Sequence, residues 1–400
     1  MSLFKFELKK LLVNKRTLII LVVLFIAYAV TGFITCYFGF GSQSNYAVYK
    51  ELADAYTGPI DAEQAAISLE ISDATKVRYG NNEEALSEAG AADPVLKFNM
   101  DYADYARFVD EYYNGASTDA TSNPYGVNVL RDKISSMEEI GDTSSFEYKE
   151  TVEQLDAQIA LGEPEFANTS IWDNLFDLWG GYMSLFLLFI PLAFIIAPVF
   201  SVEASTGMDN IVLSSMHGRK KIVTAKLAAV VITSLVSVLV YLVATFLANA
   251  LALGSFTGAT AALSSVTAFA RTPFAMSVWQ FAIVAAVWML FMGVVFGIVT
   301  AFISSKMKNQ MSSFGIALVI LMFSMILNFF GSNVAALIRP LIDFGFASLF
   351  ESVDIFSTFA VYNIFGISVP YWAAALGLMA ILGGICTWAI YRFQKTRTAA

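Results

Sequence analysis

Long apolar runs alternate with short polar connections along most of this chain. Runs near the ~20 residues that a helix needs to cross a bilayer occupy 17–40, 178–202, 227–253, 273–303, 311–330 and 371–391. They predict an all-α polytopic membrane protein with six transmembrane helices. Pro191 and Pro198 lie inside the second run and predict kinks or local unwinding there. Trp279 and Trp288 are placed to anchor or pack the fourth, which at 273–303 is long enough to tilt. Asn249 lies near the end of the third. Ser324 and Asn328 share one face of the fifth, where an Asn faces protein or water rather than lipid. Residues 254–272 read as a small-residue external turn. Residues 331–370, interrupted by Arg339-Pro340, Asp343, Glu351 and Asp354, contain no clean span. Short helices dipping into the membrane under a cover of protein fit them better.

Two stretches have a different period. In residues 1–16, Phe4, Leu8, Leu11 and Leu12 follow helical spacing, while Lys5, Lys9 and Lys10 project from the other side. This predicts a cytoplasmic amphipathic helix lying in the lipid interface with its lysine stems snorkelling; the plainer reading is an orientation signal. Ala27-Tyr28-Ala29 resembles a cleavage site, but the apolar run continues to Phe40, which favours a retained anchor. Residues 41–177 leave the membrane and are too long for a plain connection. Ser144 to Glu147 fits a capping box, and Tyr148, Val152, Leu155 and Ile159 then repeat helically. In 101–113, Tyr102, Tyr105, Phe108, Val109 and Tyr112 line one side. A large, mainly helical extracytoplasmic domain is predicted, with the aromatic stripe as its core.

Composition sharpens this division. Hydrophobic residues make up 57% of the chain and charged residues 14%, against ~25% charged in an ordinary soluble domain. The net charge of -9 is unevenly spread: 41–177 carries 27 acidic and 8 basic residues, the remainder 6 acidic and 16 basic. Basic clusters fall in 1–16, 203–226, 304–310 and 392–400, so these face the cytoplasm and both termini lie there. Cys36 and Cys386 sit in or beside apolar runs and read as small hydrophobes. His217 is the one histidine, which excludes a His-cluster metal site within one chain. The acidic domain lacks a DxDxDG calcium loop.

The most structured connection is 203–226, between the second and third spans. Glu203 stands where a helix leaves the membrane, Gly207 permits a turn, Ile211 to Leu213 offer an apolar grip, and Arg219, Lys220, Lys221 and Lys226 end it. Glu203 is placed to accept bonds from loop amides or to pair with a basic group of the interfacial helix. A fixed acid, an apolar patch and a basic end suit a docking surface. A solvated loop whose charges only set orientation is the competing reading.

This arrangement resembles the permease subunits of type-two ABC (ATP-binding cassette) exporters. FKFELKKLLVNKR running straight into a span is similar to that family's interfacial connecting helix, represented by Phe4, Lys5, Leu8, Lys9 and Leu12. Glu203, Gly207, Leu213, Arg219 and Lys226 match the order of its coupling segment, although Met208 and Met216-His217 stand where the family often has Thr and Pro. The resemblance implies a plasma-membrane transport subunit that pairs with a second permease subunit, identical or not. It also implies a cytosolic ATPase docked on 203–226, with ATP and magnesium on that partner. The chain has no GxxxxGK[ST], so no cofactor is expected in it, and no nucleic-acid partner. The long 41–177 segment departs from compact members and suits a peptide, lipid or drug handled at the outer face, or a partner protein there. A secondary transporter working without an ATPase, and a multi-span receptor with an outer sensing domain, are the alternatives. The spans lack the clusters of a membrane enzyme.

Overall fold

The computed structural model describes residues 3–80, 82–114, 126–181, 185–208, 218–254, 256–330, 342–364 and 366–396. Among the described residues, six helices are long and apolar enough to cross a membrane: Lys15–Ile34, Phe186–Thr206, Lys220–Leu253, Val278–Lys306, Gln310–Leu327 and Tyr371–Thr396. They are numbered here as spans one to six. Spans two, three and four are 56%, 56% and 50% buried and make the centre of the bundle. Spans one, five and six, at 22%, 22% and 28%, form its outer faces. The helix of span three begins at Gly218, inside the stretch read from sequence as a connection, and runs unbroken to Leu253.

Spans three and four approach closely through small residues. Gly293 and Gly297 form a GxxxG pair facing Val238 and Ser234; a Cβ on Gly297 would lie 2.2 Å from the Ser234 hydroxyl oxygen and one on Gly293 2.5 Å from a Val238 methyl. Close backbone approach through such pairs is a standard way for helices to associate in lipid, where apolar burial supplies no driving force.

Span two is discontinuous, as its prolines predict. A π-helical turn at Leu185–Phe189 leads into Ile190–Ile196 and then Pro198–Thr206. The freed backbone groups are met by neighbours. On span four, the Ser304 hydroxyl donates to the Ala197 carbonyl (2.7 Å) and accepts from the Phe200 and Ser201 amides (both 3.1 Å). Upstream, the hydroxyls of Tyr28 and Tyr241 donate to the carbonyls of Leu187 and Leu178. Broken backbone at membrane depth survives only where protein completes its hydrogen bonding in this way.

After span five, short helices at Phe346–Phe350 and Ser352–Ser357 are buried against spans two and four. Phe350 stacks on Phe189 at 3.7 Å, and the Trp288 indole donates to the Leu349 carbonyl (3.0 Å). The Ser324 hydroxyl, singled out on span five, accepts the Ala347 amide (2.8 Å) at the start of the first short helix. A hairpin that periodicity did not predict follows: Val361–Ile364 pairs antiparallel with Ile367–Pro370, and Gly366 turns it at φ 86°. Arg339 and the neighbouring residues 331–341 fall outside the described segments.

In the stretch read from sequence as a small-residue external turn, residues 256–272 pack against the bundle. Leu263, Val266 and Phe269 are fully buried in the main core. The Trp172 indole donates to the Thr257 carbonyl (2.9 Å) and the Thr272 hydroxyl to the Phe356 carbonyl (2.8 Å), which fixes this segment to its neighbours. Leu263, Val266 and Phe269 are thus buried, whereas Thr260, Ala262, Thr267 and Ala268 stay exposed.

Between spans one and two, helices Gln43–Ala55, Ala62–Tyr79, Glu83–Ala92, Pro94–Asn114, Val127–Glu139 and Phe146–Ala160 form a separate helical unit. A two-residue pairing of Gly58–Pro59 with Glu165–Phe166 closes it. Its core is aromatic: Phe40, Tyr46, Tyr49, Phe98, Tyr102, Tyr105 and Phe166. The predicted stripe supplies Tyr102 and Tyr105 to it, with Phe108 and Val109 packed on its margin; the Tyr112 side chain is outside the described set. The predicted cap shifts by one residue, since Ser145 accepts the Tyr148 amide (3.1 Å). That helix buries Thr151, Gln154 and Gln158 rather than the predicted stripe, leaving Ile159 exposed. Helix Ser170–Gly180 packs into the main core through Ile171, Trp172, Leu175 and Phe176.

Gly297→Leu is expected to cost about 1–3 kcal/mol by overpacking. It should appear as a lower unfolding temperature of the purified chain in detergent. Gly315→Leu, at a position where an added Cβ meets nothing within 4 Å, should leave that temperature nearly unchanged.

Candidate functional site: a buried charge network beneath the 203–226 connection

The N-terminal helix Leu3–Leu11 ends in a short bend, where Asn14 caps span one by accepting the Thr17 amide (2.8 Å). It lies on the start of span three. Leu11 is buried, and Phe4, Leu8 and Leu12 are half-buried, while Lys5 and Lys9 face outward, as their spacing predicts. Glu7 is also on the buried side, only 4% exposed. It falls three residues after Phe4 and four before Leu11. An acid on the apolar face of a basic amphipathic helix was the signal that periodicity alone passed over.

Glu7 faces Lys226, which is 1% exposed. The ammonium donates to Glu7 Oε2 (3.1 Å), to Glu203 Oε1 (2.7 Å) and to the Val199 carbonyl (2.8 Å). All three of its protons are thereby used. The Phe200 ring lies 5.4 Å from Nζ and adds a cation–π contact. Glu203 takes a second partner, Lys10, at 2.6 Å. Two carboxylates and two ammonium groups sum to zero charge, which makes burial at a membrane boundary tolerable; a lone charge there would bear an uncompensated desolvation cost.

Three elements far apart in sequence are joined in this way: the N-terminal helix, the end of span two and the start of span three. Span two stops at Gly207, whose φ of 70° is left-handed and suits glycine. Glu203 stands one turn before that stop and Lys226 two turns into span three, so the network closes the root of the connection. Leu213 lies outside the described residues, as does the side chain of Arg219, although Arg219 belongs to the first turn of the span-three helix. Of the predicted set, Glu203 and Lys226 are in direct contact, with Gly207 beside them. Among the described residues no group of three or more His, Cys, Asp or Glu side chains is arranged to hold a metal ion.

The family described as "ABC-2 family transporter protein" matches residues 1–396. The chain belongs to the ABC-2 transporter family. No curated protein sequence matches it. As an ABC-2 permease it is a multi-pass membrane transport protein. The match reaches from the N-terminal helix to the last span of this ABC-2 chain.

The ABC-2 chain has a second charged region, where its helical unit meets the bundle. A cavity of about 460 Å³ there is lined by Asp101, Asp173 and Asp177 together with Tyr49, Lys97 and Asn174. Lys97 pairs with Asp101 (3.1 Å), and Asp101 accepts the Tyr49 hydroxyl (2.9 Å). Asp173 accepts from the Thr169 hydroxyl (2.9 Å) and the Thr267 amide (3.2 Å). Burial, reinforced by the nearby carboxylates of Asp101 and Asp177, outweighs those bonds and raises the Asp173 carboxyl to about 7. Asn174 donates to Asn249 (2.6 Å), the polar residue noted near the end of span three.

Lys226→Met leaves two carboxylates facing each other without their shared cation and is expected to cost about 3–5 kcal/mol. Glu7→Gln in the same chain should recover part of it, and a double-mutant cycle on unfolding free energy reads the coupling. Asp173 generates a pH dependence. Its folded pKa exceeds the unfolded carboxylate value of ~4, so between pH ~4 and ~7 the folded chain holds a proton that the unfolded chain has lost. Stability therefore falls as pH rises through that window. Asp173→Asn should shrink the drop in unfolding temperature between pH 5 and pH 8.

Proposed function

We propose that this chain is the membrane-spanning subunit of an ATP-driven exporter. In this reading a separate cytosolic ATPase grips the 203–226 connection and drives the bundle through it. The observation that carries the reading is the Glu7–Lys226–Glu203–Lys10 network. A coupling element must move as a rigid body to transmit a domain motion, and the network ties the connection's two ends to each other and to the N-terminal helix. Family membership supports an ATPase partner, and the absence of a GxxxxGK[ST] loop agrees with ATP and magnesium being bound by that partner.

The basic residues of 1–16, 203–226, 304–310 and the C-terminal tail support a cytoplasmic location for these segments and both termini. The helical unit between spans one and two then lies outside, stacked on the bundle, and handles a peptide, lipid or drug as it leaves. In this reading a second permease subunit, identical or not, completes the pathway.

Purification of the chain from its native membrane should bring down a nucleotide-binding subunit whose hydrolysis the permease stimulates. Arg219→Glu, which reverses a charge at the connection, should cut that stimulation about five-fold or more, the scale of ~1 kcal/mol of coupling. Glu203→Ala should cut it too while lowering the unfolding temperature. Full stimulation in both variants, or labelling of Lys220 by an impermeant reagent from outside intact cells, would refute the reading.

A further inference from the structure

A groove of about 440 Å³ lies beside the charge network, between the N-terminal helix, the start of span one, the far half of span two and the start of span five. Its walls are apolar: Leu11, Ile20, Phe194, Pro198 and Val202. Its mouth is polar and basic. Lys15 and Arg16 are exposed there, and neither has an ion-pair partner among the described residues. Lys10 also borders the groove but is engaged by Glu203, and the charge of Glu7 is answered by Lys226. Two uncommitted cations thus sit over a hydrocarbon-like slot.

The depth is that of a lipid headgroup and the first carbons of its tails. Span one begins at Lys15 and span five at Gln310, while span two ends at Thr206, so the mouth lies level with one membrane face. Ile20 is five residues below the mouth and Val202 four, roughly 6–8 Å at the helical rise. The N-terminal end of the span-one helix points the positive end of its dipole at the same place. A second copy of this chain is a poor occupant, because a symmetric contact would bring Lys15 and Arg16 toward their own counterparts.

We propose that this groove binds one anionic phospholipid of the leaflet nearest the N-terminus, its phosphate held by Lys15 and Arg16 and its acyl chains lying along Phe194, Pro198 and Val202. The lipid fills the groove between the N-terminal helix, span one and span two, beside the direct contact of spans two and five at Phe194 and Phe314. It is a resident part of the bundle, independent of what the protein transports.

Native mass spectrometry of the delipidated full-length chain, titrated with phosphatidylglycerol or phosphatidylcholine, tests this. Phosphatidylglycerol should bind tightly with a stoichiometry of one, and phosphatidylcholine about ten-fold more weakly or worse. Lys15→Gln with Arg16→Gln should abolish that preference, losing about ten-fold or more in phosphatidylglycerol affinity, as expected for two basic groups near a headgroup. Lys9→Gln with Lys308→Gln removes the same charge outside the groove and should change nothing. Equal loss in both double variants, or equal binding of the two lipids by the unaltered chain, would overturn the site. A photoreactive benzoylphenylalanine in place of Val202 should form an adduct with phospholipid in native membranes. A chain-to-chain adduct there would instead assign the groove to a subunit contact and also overturn it.

Discussion

The ammonium of Lys226 is the constraint on which the membrane end of this protein depends. Buried to 1% exposure, it cannot be solvated by water and is held instead by Glu7, Glu203 and the Val199 carbonyl. Its three bonds go to two different elements besides its own helix. Removing any one partner leaves a charge without its compensation, so the N-terminal helix, the end of span two and the start of span three keep one relative geometry. That geometry sets where the connection between spans two and three emerges.

A similar logic governs the interrupted backbone deeper in the bundle. Span two changes from π- to α-helix and breaks again at Pro198, and the chain after span five folds into short buried helices rather than a span. Each interruption has a side chain from another element completing it: Ser304 at Ala197, Tyr241 at Leu178, Tyr28 at Leu187, Trp288 at Leu349 and Ser324 at Ala347. These interruptions are clustered in the half of the bundle built from spans two, three and four, which is also its most buried part. The straighter spans one, five and six need no such completion and are left facing outward.

At the opposite end, the helical unit is joined to the bundle through charge as well as packing. Helix Ser170–Gly180 carries Asp173 and Asp177 on the side facing the cavity and Ile171, Leu175 and Phe176 on the side facing the core. A single helix thus belongs to both regions, and burial, with Asp101 and Asp177 nearby, raises the proton affinity of Asp173.

The six apolar runs determined the class of this protein and its six candidate spans by themselves, because lipid imposes a length and composition that each segment must satisfy alone. The helical unit and its aromatic core were legible for a related reason, since Tyr102 and Tyr105 lie on one helix and their period is local. Ionic pairing is not local. Glu7 and Lys226 are 219 residues apart, and nothing in the neighbourhood of either names the other. Glu203 was recognisable as an acid at a helix exit, with a basic group of the N-terminal helix as one possible partner. That Lys10 is this partner, that Lys226 is buried inside span three, and that Glu7 completes the network were decided only when the fold brought three helix ends together. The same holds for Ser304 and for Leu263, Val266 and Phe269, which lie in a stretch that looks like a loop in sequence and are buried because other elements close over them.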